Sequence, residues 1–482
     1  MKNKKSTSWW FFLYKKLRKY TIDFYRHFLM ASPYIYNPFF RVAVFKLVVS
    51  TIIFRFTIIF KKIFPKLYFF LKSKKKLRDK IKKVTELKIK LGRKKNFFSH
   101  VFDEYVDKKQ QKKKIIYIDV SKFRNVDFNS GIQRVLINIV KEFKKNINHK
   151  NFQLSFCYFP RVRPNPCLAE YDIKQKKTLR FFVPKKNDLV FFIDFDTDTI
   201  DQNKDLIYFL QSKKIKFAAI IYDLLPYTNP EWFPVYNYKR IYAKWIDVIL
   251  KFDCVFTISK TVKSKLIKNF KPRKINHIFP IKLGANFKKK RNLLKIINRP
   301  NKKINQKRKI KFLMVGTLEP RKGHLSILKA FNVLINKYKS NVSLDIVGNL
   351  GWNYDKVLNI LKQSKYSNYV SFHKSISDKE LQNFYLQSDA LIAASYDEGF
   401  GLPIVEAFYN NIKVIARDIE VFREVGKNKI FYFPKNSNPH DLANYLNQWI
   451  KKNSKTQPGY GKINFNTWEN TSNQILSKIL KL

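Results

Sequence analysis

From residue 113 onward the apolar positions fall into two alternating rhythms. Short runs rich in β-branched and aromatic residues read as buried strands: "KKKIIYIDVSKF" (112–123), "DLVFFIDFD" (188–196), "IKFAAIIYDLLP" (215–226) and "CVFTIS" (254–259). Between them lie stretches with apolar residues at helical spacing, among them "NSGIQRVLINIVKEF" (129–143), which follows a glycine-containing turn. The alternation breaks at 287–309, "FKKKRNLLKIINRPNKKINQKRK", where charge and a proline suit an interdomain linker. It then restarts with strand-like "IKFLMVGTL" (310–318), a helix over 324–338, strand-like "VSLDIVG" (342–348), a helix near 377–389, and strand-like "ALIAAS" (390–395) and "KVIA" (413–416). Repeated β and α segments of this kind imply two doubly wound, mostly parallel α/β domains. Facing each other, they leave a cleft at the carboxyl ends of both sets of strands, where ligands of such folds bind. The expected bounds are 113–290 for the first domain, 291–309 for a basic linker, 310–464 for the second domain and 465–482 for a closing helix that packs back on the first.

Residues 1–112 do not share this rhythm. The apolar stretch 42–60 is about long enough to span a bilayer, yet Lys46 and Arg55 lie inside it and each is costly at mid-membrane. It is expected to lie on or in the interface. In "LKSKKKLRDKIKKVTELKIKLGRKK" (71–95), Leu77, Ile81, Val84 and Leu91 recur at helical spacing among basic residues, as in a surface-bound amphipathic helix; the alternative is a solvated basic helix packed on the protein. No small-residue cleavage site follows a short apolar core near the start, so a removable secretory signal is not expected.

Charge supports the membrane reading. The chain carries 97 Lys and Arg against 35 Asp and Glu, a formal charge of +62, which points to a polyanion or an anionic membrane surface. Lys, Asn, Ile, Phe and Tyr dominate throughout, so a compositional bias accounts for part of the excess. The basic residues are dispersed and form no recognised nucleic-acid module. An anionic membrane surface at the cytoplasmic face is therefore the expected partner, and nucleic acid is not. Cys157, Cys167 and Cys254 sit in or beside apolar runs without CxxC spacing, which fits free thiols in a reducing compartment.

Two stretches carry candidate chemistry. In "YDEGFGLPIVEAF" (396–408), Pro403 suits the first position of a helix, placing Glu406 in its first turn and Glu398 in the loop before it. Gly401 and Leu402 offer no capping oxygen, which leaves the first amides open to an anion such as phosphate. Two carboxylates there do not serve an anion. They suit hydroxyl pairs on either side of a diphosphate, as in a nucleotide sugar, while the plainer reading has Glu406 complementing the helix dipole and Glu398 solvated. The second stretch, "VGTLEPRKG" (315–323), lies at a strand-to-helix turn. It puts Gly316 at the strand end and Arg321 with Lys322 on the cleft side, where paired cations would stabilise a departing diphosphate.

The segments "GTLEPRKG", "LDIVG", "SYDEGFGLPIVEAF" and "KVIARDIEVFREV", in this order, resemble the nucleotide-sugar domain of family 4 glycosyltransferases, retaining enzymes of the GT-B fold. "DVSKFRNVDFNSGIQRV" (119–135), "IYDLLPYTNPEWF" (221–233), "FTISK" (256–260), "LGANF" (283–287) and "FNTWENT" (465–471) are similar to the acceptor domain and closing segment of the subgroup that builds bacterial surface polysaccharides. The resemblance covers residues 113–482. It implies that Arg321 and Lys322 hold the diphosphate, that Glu398 contacts donor-sugar hydroxyls and that Glu406 binds the ribose. Gly316, Thr317, Gly348, Gly401 and Leu402 fall on the donor side, and Gly131 would let the donor approach the first domain. Arg134 and Asp223 fall on the acceptor side. The implied activity is transfer of a sugar, with retention, from a nucleotide-sugar co-substrate to a lipid-linked or glycan acceptor such as O-antigen or capsule, with no metal or other cofactor. Two positions depart from the pattern: Tyr222 stands where relatives often have His, and Asn286 where they have Asp.

Other readings compete, the first being a basic nucleic-acid- or membrane-binding protein without transferase activity. Asp194, Asp196 and Asp198 in "FFIDFDTDTID" match the DxD by which another glycosyltransferase fold holds a metal, but they lie in the acceptor half and read here as a polar strand end. Glu398 and Glu406 could also be a hydrolase couple, which their setting beside a cationic site disfavours.

Overall fold

A computed structural model describes residues 113–124, 131–150, 152–160, 168–285, 309–363, 366, 368–455 and 466–482. The 1–112 extension, Cys167, Asn286 and nearly all of the 287–309 linker lie outside the described residues.

The first domain is built on an eight-stranded sheet in the order β4-β3-β2-β1-β5-β6-β7-β8. Its strands are β1 (Lys114–Asp119), β2 (Phe152–Tyr158), β3 (Leu168–Asp172), β4 (Lys177–Phe182), β5 (Leu189–Phe192), β6 (Lys216–Ile221), β7 (Cys254–Thr257) and β8 (Ile278–Pro280). Its helices are α1 (Gly131–Lys150), α2 (Thr197–Ser212), α3 (Leu225–Thr228), α4 (Tyr238–Ile249) and α5 (Lys260–Phe270). The strands from β2 across β1 to β8 run parallel. The β3 and β4 strands extend the sheet antiparallel beyond β2, a departure from the all-βα alternation of the sequence pattern.

The second domain carries a six-stranded parallel sheet, β11-β10-β9-β12-β13-β14. Its strands are β9 (Ile310–Val315), β10 (Val342–Val347), β11 (Val370–His373), β12 (Ala390–Ala393), β13 (Lys413–Arg417) and β14 (Phe431–Phe433). They alternate with α6 (His324–Tyr338), α7 (Asp355–Leu361), α8 (Asp378–Gln387), α9 (Leu402–Tyr409), α10 (Glu420–Gly426) and α11 (Pro439–Lys455). Strands such as β5 and β12 are apolar because helices cover both faces, the usual state of a parallel sheet. A final helix, α12 (Trp468–Ile479), leaves the second domain and places Trp468, Ile475, Leu476 and Ile479 in the core of the first.

Strand order reverses between β1 and β5 in one sheet and between β9 and β12 in the other. These switch points open crevices at the carboxyl ends of the strands, and the chain places its candidate chemistry there.

The domains meet through apolar and polar contacts, and Phe400 of the second belongs to the core of the first. Ser259 Oγ donates to the Gly399 carbonyl at 2.8 Å. The Glu424 carboxylate of α10 accepts from the Lys260 and Thr261 amides at the start of α5, each at 2.8 Å, so a side chain of one domain caps a helix of the other. Gly399 is required at this seam, since a Cβ there would stand 1.9 Å from the Tyr222 carbonyl oxygen.

Candidate active site

The loop after β9 turns through a short 3-10 segment, Pro320–Lys322, into Gly323 at φ 73°. A Cβ on Gly323 would also stand 2.3 Å from the Ala394 carbonyl oxygen at the end of β12. Only glycine combines that backbone with that approach, and the approach presses the β9 loop against the β12 loop. Arg321 and Lys322 are thereby brought to Glu398. Arg321 donates from Nη1 to Glu398 Oε2 at 3.0 Å and from Nε to Glu319 Oε2 at 2.8 Å. Lys322 Nζ reaches Glu398 Oε1 at 2.5 Å, and Ser395 Oγ donates to the same oxygen at 2.8 Å. Burial pushes the Glu398 carboxyl up, but Lys322 and Arg321 outweigh it and bring it down to about 2. Glu398 is therefore a fixed carboxylate and the two cations are aimed by it.

The remaining residues of the β9 and β10 ends support this loop. Thr317 Oγ1 donates to Glu319 Oε1, so its hydroxyl positions Glu319, which in turn holds Arg321. Gly316 lies beneath the Lys322 stem, with Lys322 Cε 3.5 Å from where its Cβ would be. A Cβ on Gly348 would stand 2.0 Å from the Gly316 carbonyl oxygen, so its place is taken by that strand-end contact.

Helix α9 begins one residue earlier than its sequence suggests. Leu402 is its first residue, Gly401 precedes it at φ 96°, and no side chain caps it. Two expectations change as a result. Glu406 is the fifth helical residue and lies in the second turn, not the first. The row of free amides is also shorter: Pro403 has no N–H, and the Ile404 amide donates to the Gly401 carbonyl at 3.0 Å.

Glu406 is buried, at 3% exposure. Its Oε1 accepts from Arg134 Nη1 at 2.5 Å and its Oε2 from the Tyr385 hydroxyl at 2.7 Å. Burial raises this carboxyl against the opposing pull of Arg134 and Tyr385. Arg134, assigned with Asp223 to the acceptor side, lies in the first domain, in the first turn of α1, whose Gly131 faces Leu402 across the cleft, with Leu402 Cδ1 3.9 Å from a Cβ built on that glycine. That docking carries the guanidinium to Glu406.

Asp223, at the end of β6, accepts from the Leu225 amide at 3.0 Å. Burial, with help from Glu398 and Asp397, raises its carboxyl to about 6 against the pull of Arg321 and the Leu225 amide. It thus shares the field of the donor cations. Tyr222 is buried and donates its hydroxyl to the Ile193 carbonyl at 2.7 Å, a bond within its own domain. In the DxD segment, Asp196 is the N-cap of α2, accepting from the Asp198 and Thr199 amides, and Asp194 accepts from the Phe195 amide at 2.7 Å.

Glu319, Ser395 and Tyr385 emerge only in three dimensions as members of this site. Glu319 and Ser395 lie inside the stretches already singled out, so their position gave a signal; Tyr385 sits in the last turn of α8 and gave none. Lys265 belongs to the same group, reaching Asp397 at 2.7 and 2.9 Å from the opposite domain.

Two facing Rossmann-like domains with a cationic loop and an uncapped helix at the switch point define the GT-B class. The solved sucrose-phosphate synthase from Thermosynechococcus elongatus has the same fold, with a TM-score of 0.51 at 13% identity over 77% of this chain and 94% of that one. Residues 296–462, which include nearly all of the second domain, match the family described as Glycosyl transferases group 1. The serotype-specific mannosyltransferase WbdA of Escherichia coli is 28% identical over 397 residues, covering 77% of this chain and 47% of that protein. The O-antigen chain mannosyltransferase RfbU of Salmonella typhimurium is 28% identical over 232 residues, covering 46% of this chain and 56% of that protein. The chain spans about half the length of the WbdA proteins it matches.

Proposed function

We propose that the protein is a retaining glycosyltransferase that moves a sugar from a nucleotide-sugar donor to a growing bacterial surface glycan. The observation that carries this reading is the convergence of Arg321 and Lys322 on Glu398 at the β9/β12 switch point. A diphosphate enters between the two cations, and the carboxylate that aims them is left to accept hydroxyls of the donor sugar. Glu406 accepts the ribose hydroxyls, and Arg134 turns aside from it as the nucleotide arrives.

The bond from the anomeric carbon to the diphosphate oxygen breaks while the acceptor oxygen bonds to that carbon on the same face. The acceptor proton passes to the departing phosphate oxygen, so no protein base is required. Arg321 and Lys322 stabilise the charge that develops there, a preorganised electrostatic contribution. Mannose is the first sugar to test, because WbdA and RfbU are described as mannosyltransferases. The basic extension at 1–112 holds the enzyme at the inner face of the plasma membrane, where a lipid-linked acceptor is presented; the composition of that segment supports this. No helix among the described residues is long and apolar enough to cross a membrane.

The test is a panel of ADP-, GDP- and UDP-sugars, with release of nucleoside diphosphate as readout. Transfer is expected with one member and is expected to vanish in Arg321→Ala and Glu398→Ala variants that keep the wild-type circular dichroism. Full activity in both variants would overturn the assignment.

A further inference from the structure

A cavity of about 450 Å³ opens beside the cationic loop, lined by Asn229, Trp232, Pro320, Tyr396, Asp397 and Lys435. Its volume is that of a small-ligand pocket. Both domains build it: Asn229 and Trp232 belong to the first, the other four to the second. Two of its walls are the immediate chain neighbours of the proposed donor contacts, Pro320 beside Arg321 and Asp397 beside Glu398. The Tyr396 amide also donates to the Arg321 carbonyl at 2.8 Å, which ties the cavity wall to the cationic loop.

The lining is amphipathic in a particular way. Tyr396 is 37% exposed, and the guanidinium of the fully buried Arg417 lies 4.1 Å from its ring centroid. Arg417 is itself held by the Ala394 carbonyl at 2.9 Å and by the Lys435 carbonyl. One side of the ring is thus backed by a fixed cation. Trp232 is anchored from the opposite domain, its carbonyl accepting from Trp352 Nε1 at 2.5 Å, while the Phe233 and Trp352 rings lie 5.2 Å apart. Asp397 takes Lys265 and the Glu398 amide, yet a carboxylate accepts about four hydrogen bonds, so capacity remains.

Aromatic walls with a carboxylate, an amide and an ammonium group suit one class of ligand well. A pyranose presents C–H groups on its faces, which meet the negative face of an aromatic ring, and hydroxyls at its edge, which seek such polar groups. We propose that this cavity is the acceptor-glycan subsite: a sugar ring packs against Trp232 and Tyr396, and Asp397, Asn229 and Lys435 receive its hydroxyls. This rests on the transferase reading above. It also gives the acceptor a place next to the donor sugar, because the cavity adjoins Arg321 and Glu398 and none of its walls adjoins Glu406 in the chain.

The experiment uses the full chain and two kinds of probe, mannotriose and the nucleotides GDP and UDP, with Kd read by ligand-observed NMR. Trp232→Ala and Tyr396→Ala are each expected to weaken mannotriose by about tenfold, the equivalent of ~1.4 kcal/mol. Tyr396→Phe, which keeps the ring, should stay within about threefold of wild type, less than 1 kcal/mol on the same scale. Unaltered mannotriose affinity in both alanine variants, or no mannotriose binding to the wild type, overturns the subsite. An equal loss of GDP or UDP affinity overturns it as well, making the cavity a nucleoside site. Failure of the transferase reading shows separately, as a wild-type protein that binds neither nucleotide and releases nucleoside diphosphate from no member of the donor panel.

Discussion

Arg134 of the first domain and Glu406 of the second form an ion pair at 2.5 Å across the cleft, with the glutamate side chain 4% exposed and the arginine 20%. The bond joins the first helix of one domain to the helix whose uncapped end faces the donor site. It pairs the carboxylate proposed to bind the nucleotide ribose with a cation of the opposite domain.

Removing one partner of such a pair strands the other. Arg134→Ala is expected to lower unfolding stability by about 3 kcal/mol, the range for an uncompensated buried charge. Glu406→Gln, which strands the arginine instead, should cost less, because the amide oxygen still accepts one of the two donors and Arg134, 20% exposed, keeps partial access to water. Urea denaturation compares the two; a milder loss in Arg134→Ala than in Glu406→Gln would contradict the pairing.

Arg321 holds two carboxylates at once, Glu319 and Glu398, through different nitrogens of one planar fork. A lysine offers a point charge and cannot span both. Arg321→Lys is therefore expected to lower kcat/KM by about 10²-fold or more, comparable with losing one preorganised donor at a developing negative charge. Steady-state kinetics with the active donor checks this, and near-wild-type turnover would show that charge alone suffices.

Asp223 faces Arg321, Glu398, Asp397, Tyr238 and Tyr242, and its carboxyl is raised to about 6. Between the unfolded value near 3.8 and 6 the folded state binds the extra proton, so this group's contribution to stability falls as pH rises through that window. Its proton also removes a negative charge from the cationic loop. An intact nucleotide sugar, which does not titrate there, should bind more tightly at pH 5.5 than at 7.5, by on the order of 1 kcal/mol or about fivefold. Asp223→Asn should abolish that dependence, as calorimetry at the two pH values would reveal.

If Arg321 and Lys322 provide the phosphate charge compensation, transfer should proceed in excess EDTA at the wild-type rate. A loss restored by Mg²⁺ or Mn²⁺ would assign that compensation to a metal instead.

Residues 113–482 alone should bind anionic vesicles much more weakly than the full chain, because the membrane contact is assigned to the basic extension. Co-sedimentation with phosphatidylglycerol vesicles measures this, and equal binding would move the contact to the two folded domains.

Much of the fold was legible because parallel strands covered by helices must be apolar along their length. The runs at 310–318 and 342–348 contain β9 and β10, and the helix expected over 324–338 is α6 residue for residue. The antiparallel strands β3 and β4 left no such trace. Most of β4 is exposed and its pairing with β3 is made by the backbone, which accepts almost any side-chain pattern.

Within the site, sequence alone placed Arg321 and Lys322 at a strand-to-helix turn and put glycine and proline where α9 starts without a cap, since both follow from local backbone chemistry. Tertiary structure decided which partner each charge takes. Glu398 meets Lys322 from 76 residues away and Glu406 meets Arg134 from 272, pairings that no local pattern encodes. Coulomb attraction depends on separation in space, and that separation was set by Gly323 pressed on Ala394, by Gly399 pressed on Tyr222, and by the docking of α1 against α9.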